Sequence, residues 1–408
     1  MRNRPTRTSR GQLAQRHGPR RRSGPAIASR LQRRLFGASG PPDPPCRSAA
    51  ATLPRFLLAW VLIAGCGESG VPKTAAPGRE TADVASLDGG KTVTICLLPK
   101  IKGISYFSSC FEGAQEAARE LGNVELIYDG PTDGDPKKQA EMIEQWTVDG
   151  VDVICVSPNA PDVVASAMKE ARAAGVHIIT WDADGLPDSR TFFVNQATPQ
   201  AIGAGMVQAM VSDLGANATS NIAAGNAAAG NAAAGDVVII SADATSANQN
   251  SWIEAMKPAL LASGLNLLTI KYPGENSGNA LADAQDVISK YPDLRGIFGI
   301  SSVSFPAAAE AVEQNGKIGK VLVTGLSTPN DMKPFVGRGT VKSVVLWNTV
   351  DLGYLTVFVG EALASGRLQP GAPSISAGRL GDRPLIGDNV MLGDILVFTA
   401  ENIDQYDF

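Results

Sequence analysis

From Lys91 onwards, short apolar runs alternate with longer stretches in which apolar residues recur every three or four positions. Apolar runs of four to six residues are typical of buried strands, whereas three- and four-residue spacing is typical of helices that bury one face. Residues 107–121 illustrate the helical pattern, with Phe111, Ala114 and Ala118 on one face. The pattern therefore predicts an α/β protein.

The alternation occurs in two consecutive series, which predict two parallel, doubly wound sheets. The first series predicts strands at 93–98, 124–128, 151–156, 176–181 and 191–194, and helices at 107–121, 137–148 and 161–174. The second predicts helices at 199–214, 249–263, 278–291, 306–315 and 351–363, and strands at 237–241, 267–271, 296–300, 321–324 and 341–346. Residues 390–398 predict one late extended segment, and residues 401–408 a polar, aromatic tail. Residues 216–235, which contain a repeated Asn-Ala-Ala-Ala-Gly, predict a low-complexity surface loop outside any site.

The amino-terminal 90 residues show a different pattern. Residues 1–55 are rich in Arg, Pro, Gly and Ser and lack the apolar residues needed for a core. Residues 56–65 are uncharged, too short for a membrane span of about 20 residues, but typical of a signal-peptide core. They lead into Ile-Ala-Gly-Cys, which resembles a bacterial lipobox and predicts lipidation of Cys66. We therefore expect 1–65 to be a signal and extension region ahead of the mature chain, and 66–90 a linker.

Charge separates the same two parts of the chain. Residues 1–55 hold 13 Arg and one acid, Asp43, whereas the remainder holds 23 basic and 39 acidic residues. Phosphate contacts need clustered Lys and Arg, so the acidic excess of the long part argues against nucleic acid as a partner.

Histidine and cysteine limit the possible chemistry. The two histidines, His17 in the Arg-rich head and His177 in a predicted strand, do not suit a Ser-His, Cys-His or two-histidine metal site. The five cysteines form no CxxC or Cys/His cluster, and GxxxxGK[ST], GxSxG and HExxH are absent. We predict no catalytic residue, no metal and no cofactor. The sequence does not decide whether two of Cys96, Cys110 and Cys155 form a disulfide in an oxidising compartment.

Polar and aromatic side chains recur just after the predicted strands. Ligands of open parallel sheets bind beyond the carboxyl ends of the strands. Amides, carboxylates and hydroxyls can satisfy sugar hydroxyls, and aromatic rings pack on the apolar faces of a sugar. The candidate ligand-binding residues are Lys100, Phe107, Asn159, Asp182, Asp184, Asn195, Asn248, Gln249, Ser301, Ser302, Trp347 and Asn348.

Several stretches resemble one family. The chain is similar to the type I periplasmic sugar-binding proteins of ABC transporters, within the rhamnose-binding and autoinducer-2-binding lineage. The matching stretches are Tyr128-Asp-Gly-Pro-Thr132, Val156-Ser-Pro-Asn159, Thr180-Trp-Asp-Ala-Asp184, Phe193-Val-Asn-Gln-Ala-Thr-Pro199, Asn248-Gln-Asn-Ser-Trp252, Leu326-Ser-Thr-Pro-Asn-Asp-Met332, Leu346-Trp-Asn348 and Asn402-Ile-Asp-Gln-Tyr-Asp-Phe408.

The resemblance implies two lobes joined by three crossovers that close on a small ligand. The implied crossovers fall near 196–198, 327–329 and 348–350. They imply a first lobe of 91–196 with 329–348, and a second of 197–328 with 349–408.

The resemblance also implies ligand contacts for Lys100, Asp182 and Gln249. The sequence departs from the autoinducer-2 pattern in three places. Asn248 stands where that group has Asp, and Ile300 and Ser302 stand in place of Pro and Ala.

The function implied by the resemblance is capture of a small, rhamnose-like sugar for an ABC importer. The partners would be a permease and a separate ATPase subunit, with a monomeric, lipid-anchored receptor in the periplasm or cell envelope. The sequence leaves three other functions open. One is an autoinducer-2 or sugar receptor for signalling or chemotaxis. A second is a repressor, which would need a helix-turn-helix that 67–90 is too short to hold. A third is an enzyme that uses Asp182, Asp184 or Lys100.

Overall fold

The computed structural model describes residues 91–215 and 235–408. The predicted signal region, the linker and Cys66 lie outside these residues, as does the predicted loop apart from Gly235, which begins a strand.

The first series forms close to its predicted positions. One of its helices begins at the predicted capping group: the Asp135 side chain accepts a hydrogen bond from the Lys137 amide, and Pro136 occupies the first helical position. The elements are β1 (Val93–Leu98), α1 (Ser105–Leu121), β2 (Val124–Tyr128), α2 (Pro136–Asp149), β3 (Val153–Val156), α3 (Pro161–Ala173), β4 (His177–Trp181) and β5 (Phe193–Asn195).

The second series begins at α4, where Thr198 caps the helix and Pro199 is its first residue. Its elements are α4 (Pro199–Asp213), β6 (Gly235–Ile240), α5 (Ala247–Ser263), β7 (Leu265–Lys271), α6 (Ser277–Lys290), β8 (Leu294–Gly299), α7 (Ser304–Gln314), β9 (Leu322–Gly325), α8 (Pro329–Gly337) and β10 (Val344–Leu346). Helix α8 was not predicted, because it has only nine residues and carries Pro334 in its interior, although Thr328 and Pro329 supply a cap and a favoured first residue. Proline in a helix interior removes a hydrogen bond and normally argues against a helix.

The carboxy-terminal part is more strand-rich than predicted. It contains α9 (Thr349–Ala364), β11 (Ser374–Ser376), β12 (Asp382–Ile386), β13 (Asn389–Met391) and β14 (Leu396–Phe398). The single extended segment predicted at 390–398 is therefore wrong, since two short strands replace it and two more precede them.

These elements form two lobes, each built on its own sheet. The first sheet has the order β11-β12-β13-β5-β4-β3-β1-β2, in which β1 to β5 and β13 run parallel. The second has the parallel order β7-β6-β8-β9, extended by bridges from β9 to β10 and by β14 antiparallel to β10. The predicted α/β class with two doubly wound sheets is confirmed.

The predicted lobe boundaries are wrong after residue 328. Helix α8 packs on α7, and β10 packs on β9 and α4, so residues 329–346 belong to the second lobe. Helix α9 instead packs on α1 and on β1, β3, β4 and β5, and β13 pairs with β5, so residues 349–391 belong to the first lobe. Only β14 and the tail return to the second lobe, where the tail packs on α8.

Two of the three predicted crossovers agree with this path. The chain passes between lobes at 196–198 and at 347–348, close to the predicted positions. The prediction near 327–329 is wrong, because β9 and α8 lie in the same lobe. The third connection is 392–395, between β13 and β14.

The three cysteines in the described part of the chain are buried and unbonded: Cys96 in β1, Cys110 in α1 and Cys155 in β3. Burial raises the pKa of the Cys96 thiol to about 12 and that of the other two well above the usual value. These cysteines act as small core residues.

No helix in the described ranges is both long enough and apolar enough to cross a membrane.

Candidate ligand-binding site

A cavity of about 50 Å³ lies where the carboxyl ends of the two sheets meet. Both lobes and the connection at 347–348 contribute to its wall. The lining residues are Lys100, Ile104, Tyr106, Phe107, Asp182, Asn248, Gln249, Trp252, Glu275, Ile300, Ser301, Ser302, Leu326, Leu346 and Trp347.

Asp182 is the centre of the polar network on the first-lobe side. It directly follows β4, is 3% exposed, and has a left-handed backbone with φ of 61°, a region that Asp and Asn enter more readily than most residues. Its Oδ1 accepts a hydrogen bond from the Tyr106 hydroxyl at 2.9 Å, and its Oδ2 accepts one from Ser157 at 2.7 Å. Both carboxylate oxygens are therefore held in place before any ligand is considered.

The tyrosine at this position is held as a neutral hydroxyl. Burial, followed by the negative charge of Asp182, raises the pKa of Tyr106 well above its usual value. The same hydroxyl accepts a hydrogen bond from Trp347 Nε1 at 3.0 Å. A chain of hydrogen bonds thus runs from the connection at 347–348 to the carboxylate.

Lys100 links the two lobes across the cavity. Its Nζ lies 3.4 Å from Asp182 Oδ2 in the first lobe and donates to Asn248 Oδ1 in the second lobe at 2.8 Å. The Lys100 and Asp182 side chains are 5% and 4% exposed, so water screens their attraction little. Asn248 Nδ2 also approaches the Asp182 carbonyl oxygen at 3.5 Å. Residues of the two lobes are thus in direct polar contact at the site.

Gln249 and the two serines are anchored in the second lobe. Gln249 Oε1 accepts hydrogen bonds from the Ser241 hydroxyl at 2.6 Å and the Ala242 amide at 2.8 Å. The Ser301 hydroxyl accepts from the Ser304 amide at 3.0 Å and helps to begin α7. Ser302 adds a hydroxyl-bearing residue to the cavity wall. These bonds fix the amide and hydroxyl groups at the ends of β6 and β8.

Aromatic rings form the apolar part of the wall. Trp347 makes edge contacts with Tyr106 and Trp252, with ring centroids 6.0 and 5.9 Å apart. Phe107 packs against both Tyr106 and the core residue Trp181. Polar groups fixed beside rigid rings can bind a molecule that has both hydroxyl groups and apolar C–H faces.

The structure brings eight of the twelve candidate residues to the cavity: Lys100, Phe107, Asp182, Asn248, Gln249, Ser301, Ser302 and Trp347. The other four do not line it. Asn348 accepts from the Asp351 amide and caps α9, while Asn195 in β5 faces Asn389 of β13.

Asp184 and Asn159 have structural partners instead. Asp184 accepts from Thr180 and from two nitrogens of Arg190, all within 2.8 Å. The Asn159 side chain donates to the carbonyl oxygens of Lys100 and Gly134. Its backbone amide donates to the side-chain oxygen of Gln139. Asn159 therefore supports the turn that carries Lys100 without reaching the cavity itself.

Seven lining residues are not among the twelve candidates: Ile104, Tyr106, Trp252, Glu275, Ile300, Leu326 and Leu346. Glu275 follows β7, and its position at the carboxyl end of a parallel strand was the available signal. Burial, opposed by the positive charge of Lys100, raises the pKa of Glu275 to about 7. Ile104 directly precedes α1 and offered no chemical signal.

Two sheets whose carboxyl ends converge on one cavity, with polar and aromatic groups supplied by both, define a two-lobed ligand-binding protein. The chain belongs to the family described as the periplasmic binding protein domain, whose profile matches residues 95–368. This membership confirms the resemblance seen in the sequence. The relatives are binding proteins, which agrees with the prediction that the chain is not an enzyme.

The individual relatives share about a quarter of their residues with this chain. The D-ribose/D-allose-binding protein of Pseudomonas aeruginosa is 26% identical over 70% of this chain and 84% of its own. A Clostridium phytofermentas ABC transporter solute-binding protein with bound L-rhamnose is 25% identical, with a TM-score of 0.69 over 78% of this chain and 98% of that one. LsrB from Clostridium saccharobutylicum in complex with AI-2 is 24% identical, with a TM-score of 0.71 over 78% of this chain and 100% of that one.

Proposed function

We propose that this chain is the substrate-binding component of a sugar ABC importer and captures a small, rhamnose-like sugar between its lobes. The observation that carries the proposal is the convergence of Lys100, Asp182, Asn248 and Gln249 beside Trp347 in one cavity. Neutral hydrogen bonds contribute about 0.5–1.5 kcal/mol each, so useful affinity for a sugar requires several of them to converge.

The polar groups and the rings have complementary tasks. Asp182 is an acceptor and Lys100 a donor, while the NH₂ groups of Asn248 and Gln249 can donate, since their oxygens already accept hydrogen bonds within the protein. Trp347 and its neighbouring rings offer apolar surface for the C–H face of the sugar. The match with the ribose/allose-binding and rhamnose-bound relatives supports this ligand class.

Transport follows from closure of the lobes rather than from chemistry on the ligand. We infer that closure around the sugar presents a joint surface of both lobes to a permease, and that a separate subunit hydrolyses ATP. Cys66 would hold the receptor at the cell envelope through its lipid. Replacing Cys66 with Ala should abolish incorporation of labelled palmitate and release the chain from membranes. A Cys66→Ala chain that stays lipid-labelled would overturn the anchor.

A second candidate is an autoinducer-2 receptor for signalling or chemotaxis. Its support is the match to LsrB and the presence of Lys100, Asp182 and Gln249 at the positions named above. Asn248 is the residue that separates the two candidates, because an aspartate there would face Lys100 at the present 2.8 Å contact.

The proposal can be tested by thermal unfolding of the full chain with rhamnose, ribose, allose, other pentoses and autoinducer-2. A ligand that binds only the folded state stabilises it by about 2.7 kcal/mol at a concentration 100 times its dissociation constant. We expect a deoxy sugar or pentose to raise the melting temperature, and autoinducer-2 to leave it unchanged. If autoinducer-2 alone stabilises the chain, the second candidate replaces the first.

The variant Asn248→Asp sharpens the test. It should weaken sugar binding by about tenfold, since a donor is lost, and should increase any response to autoinducer-2. The matched control is Asn250→Asp, which changes a half-buried side chain that donates to the Ala244 carbonyl and does not line the cavity. Equal sugar affinity in Asn248→Asp and the wild type would show that Asn248 does not bind the sugar.

A further inference from the structure

Glu275 occupies a position that the network around Asp182 does not explain. It lies in the turn between β7 and α6, at the carboxyl end of the edge strand of the second sheet, and it lines the cavity. The turn is held on both sides of it. The Gly274 amide, with a left-handed φ of 74°, donates to the Ala242 carbonyl oxygen at 3.2 Å, and Asn276 caps α6. The carboxylate is therefore presented to the cavity by a fixed backbone.

One oxygen of this carboxylate has no partner within the described residues. Glu275 Oε2 is buried and makes no hydrogen bond. Leaving a buried acceptor unpaired is costly, and native structures rarely do so without a functional reason. The other acidic group of the cavity differs, because both oxygens of Asp182 accept hydrogen bonds from the protein. Glu275 thus offers an acceptor that the fold itself does not use.

Three charged residues face this carboxylate. Lys100 of the first lobe favours its ionised form, whereas Asp243, which follows β6, and Asp182 disfavour it. Burial is the largest influence, and together these effects raise the pKa of Glu275 to about 7. A hydrogen-bond donor brought into the cavity would stabilise the ionised form.

We propose that Glu275 is a ligand-binding residue whose Oε2 accepts a hydrogen bond from one hydroxyl of the bound sugar, and that this contact determines which hydroxyl the ligand must carry. The inference rests on the proposed sugar-binding function and extends it to a specificity-determining residue. A site built to pair a ligand hydroxyl rejects the analogue that lacks it, because the buried acceptor is then left unpaired again.

The test is calorimetric titration of the full chain with the sugar that stabilises it and with each monodeoxy analogue of that sugar. The wild type should bind one analogue roughly 10- to 100-fold more weakly than the parent sugar, the range expected for a hydrogen bond to a charged group. Glu275→Ala should bind the parent sugar more weakly by a similar factor, and should no longer distinguish that analogue from the parent.

Glu275→Gln separates the acceptor from the charge. Its amide oxygen can still accept, so parent binding should stay within a few-fold of the wild type. Because the hydroxyl favours the ionised carboxylate, wild-type affinity should rise as the pH increases from 6 to 8 through the pKa of about 7. The affinity of Glu275→Gln should be nearly constant over that range. A residue that merely supports the turn would give no such difference in pH profile.

The outcomes separate this inference from the proposed function. If the wild type binds a sugar but Glu275→Ala keeps both the parent affinity and the preference among deoxy analogues, the inference is wrong and sugar binding stands. If no sugar binds to the wild type, both the role of Glu275 and the proposed sugar-binding function are wrong. Thermal unfolding without ligand checks folding, and removal of a partly desolvated acid is expected to leave both variants at least as stable as the wild type.

Discussion

The two lobes have similar central sheets, yet they contribute differently to the cavity. On the first-lobe side, Asp182 is surrounded by donors from Tyr106 and Ser157 and lies beside Lys100. On the second-lobe side, Glu275 has an oxygen with no partner in the described chain. The first lobe therefore presents a preorganised anchor, whereas the second presents an acceptor that has no partner among the described residues. We infer that anchoring and discrimination of the ligand are divided between the lobes.

The two lobes also differ in how closely their helices pack. In the first lobe, α1 and α9 approach so closely that a Cβ on Gly353 would overlap the Cys110 carbonyl oxygen, and one on Gly113 would overlap that of Val350. In the second lobe, a Cβ on Gly203 of α4 would lie 2.8 Å from the Ala255 side chain and from the Trp252 carbonyl oxygen of α5. Helix backbone therefore packs on helix backbone more closely between α1 and α9 than between α4 and α5.

The largest expected effect is on the anchor. Asp182→Asn keeps a residue that tolerates the left-handed backbone but removes the charge that Lys100 faces. Breaking a buried pair in this way costs about 3–5 kcal/mol of folding stability, and the loss of the anchor should reduce ligand affinity at least 100-fold in calorimetric titration. Asp182→Ala should lose binding equally and lower the free energy of unfolding further, because alanine disfavours this backbone conformation.

Asp133→Asn is the matched control for Asp182→Asn, since it removes an exposed aspartate that pairs with Lys138 and does not line the cavity. It should leave affinity unchanged. Sugar binding that survives Asp182→Asn would show that the division between the lobes is misassigned.

The next effect concerns the contact between α1 and α9. Gly353→Ala places a methyl group against backbone that cannot move by a side-chain rotation, and overpacking of this kind costs about 1–3 kcal/mol. We expect the urea midpoint to fall. Gly360→Ala, in the same helix, meets the side chains of Val153, Cys155 and Ile95 at 3.3–3.5 Å, and the intrinsic helix preference of alanine offsets this contact. Equal midpoints for the two variants would contradict close backbone packing as the cause.

The smallest effect concerns Asp213, at the end of α4 in the second lobe. Burial raises the pKa of this carboxyl to about 6, although Ser343 donates to it at 2.6 Å. The folded state therefore holds the proton more tightly than the unfolded state, so the free energy of unfolding should fall as the pH rises from about 4 to 6. Asp213→Asn should remove the contribution of this carboxyl to the fall, leaving that of Glu275, and should be more stable than the wild type at pH 7.

The measurement for Asp213 is urea unfolding at several pH values, with the exposed Asp293→Asn as control. The control should follow the wild-type pH profile. A wild-type stability that rises between pH 4 and 6, in parallel with that of Asp213→Asn, would contradict the burial of this carboxyl.

Much of the fold could be predicted from local pattern. Strands such as β1 and β2 form at their predicted positions because each is a short, mostly apolar run between turn signals. The elements that were missed are short or irregular: β11 and β12 have three and five residues with exposed positions, and α8 carries two prolines. Their formation depends on neighbours, such as β13 for β12, and a local pattern does not show those neighbours.

The site was predictable to the extent that it follows strand ends. Lys100, Asp182 and Gln249 are brought together because they stand at or near the carboxyl ends of parallel strands. Asp184 and Asn348 stand equally near such ends, but their side chains are used by Arg190 and by the first turn of α9. Spacing alone cannot distinguish a side chain that faces the cavity from one that satisfies the backbone or an ion pair.

The sequence by itself determined the α/β alternation, the two doubly wound series and the polar character of the strand ends, because each follows from local periodicity and side-chain chemistry. Only the tertiary structure decided that α9 and β13 return to the first lobe, and that one Glu275 oxygen lies at the cavity with no partner among residues 91–215 and 235–408. Those outcomes depend on which surfaces meet after the chain has crossed between lobes. The free energy of such long-range packing is shared among residues far apart in the chain and leaves no local pattern.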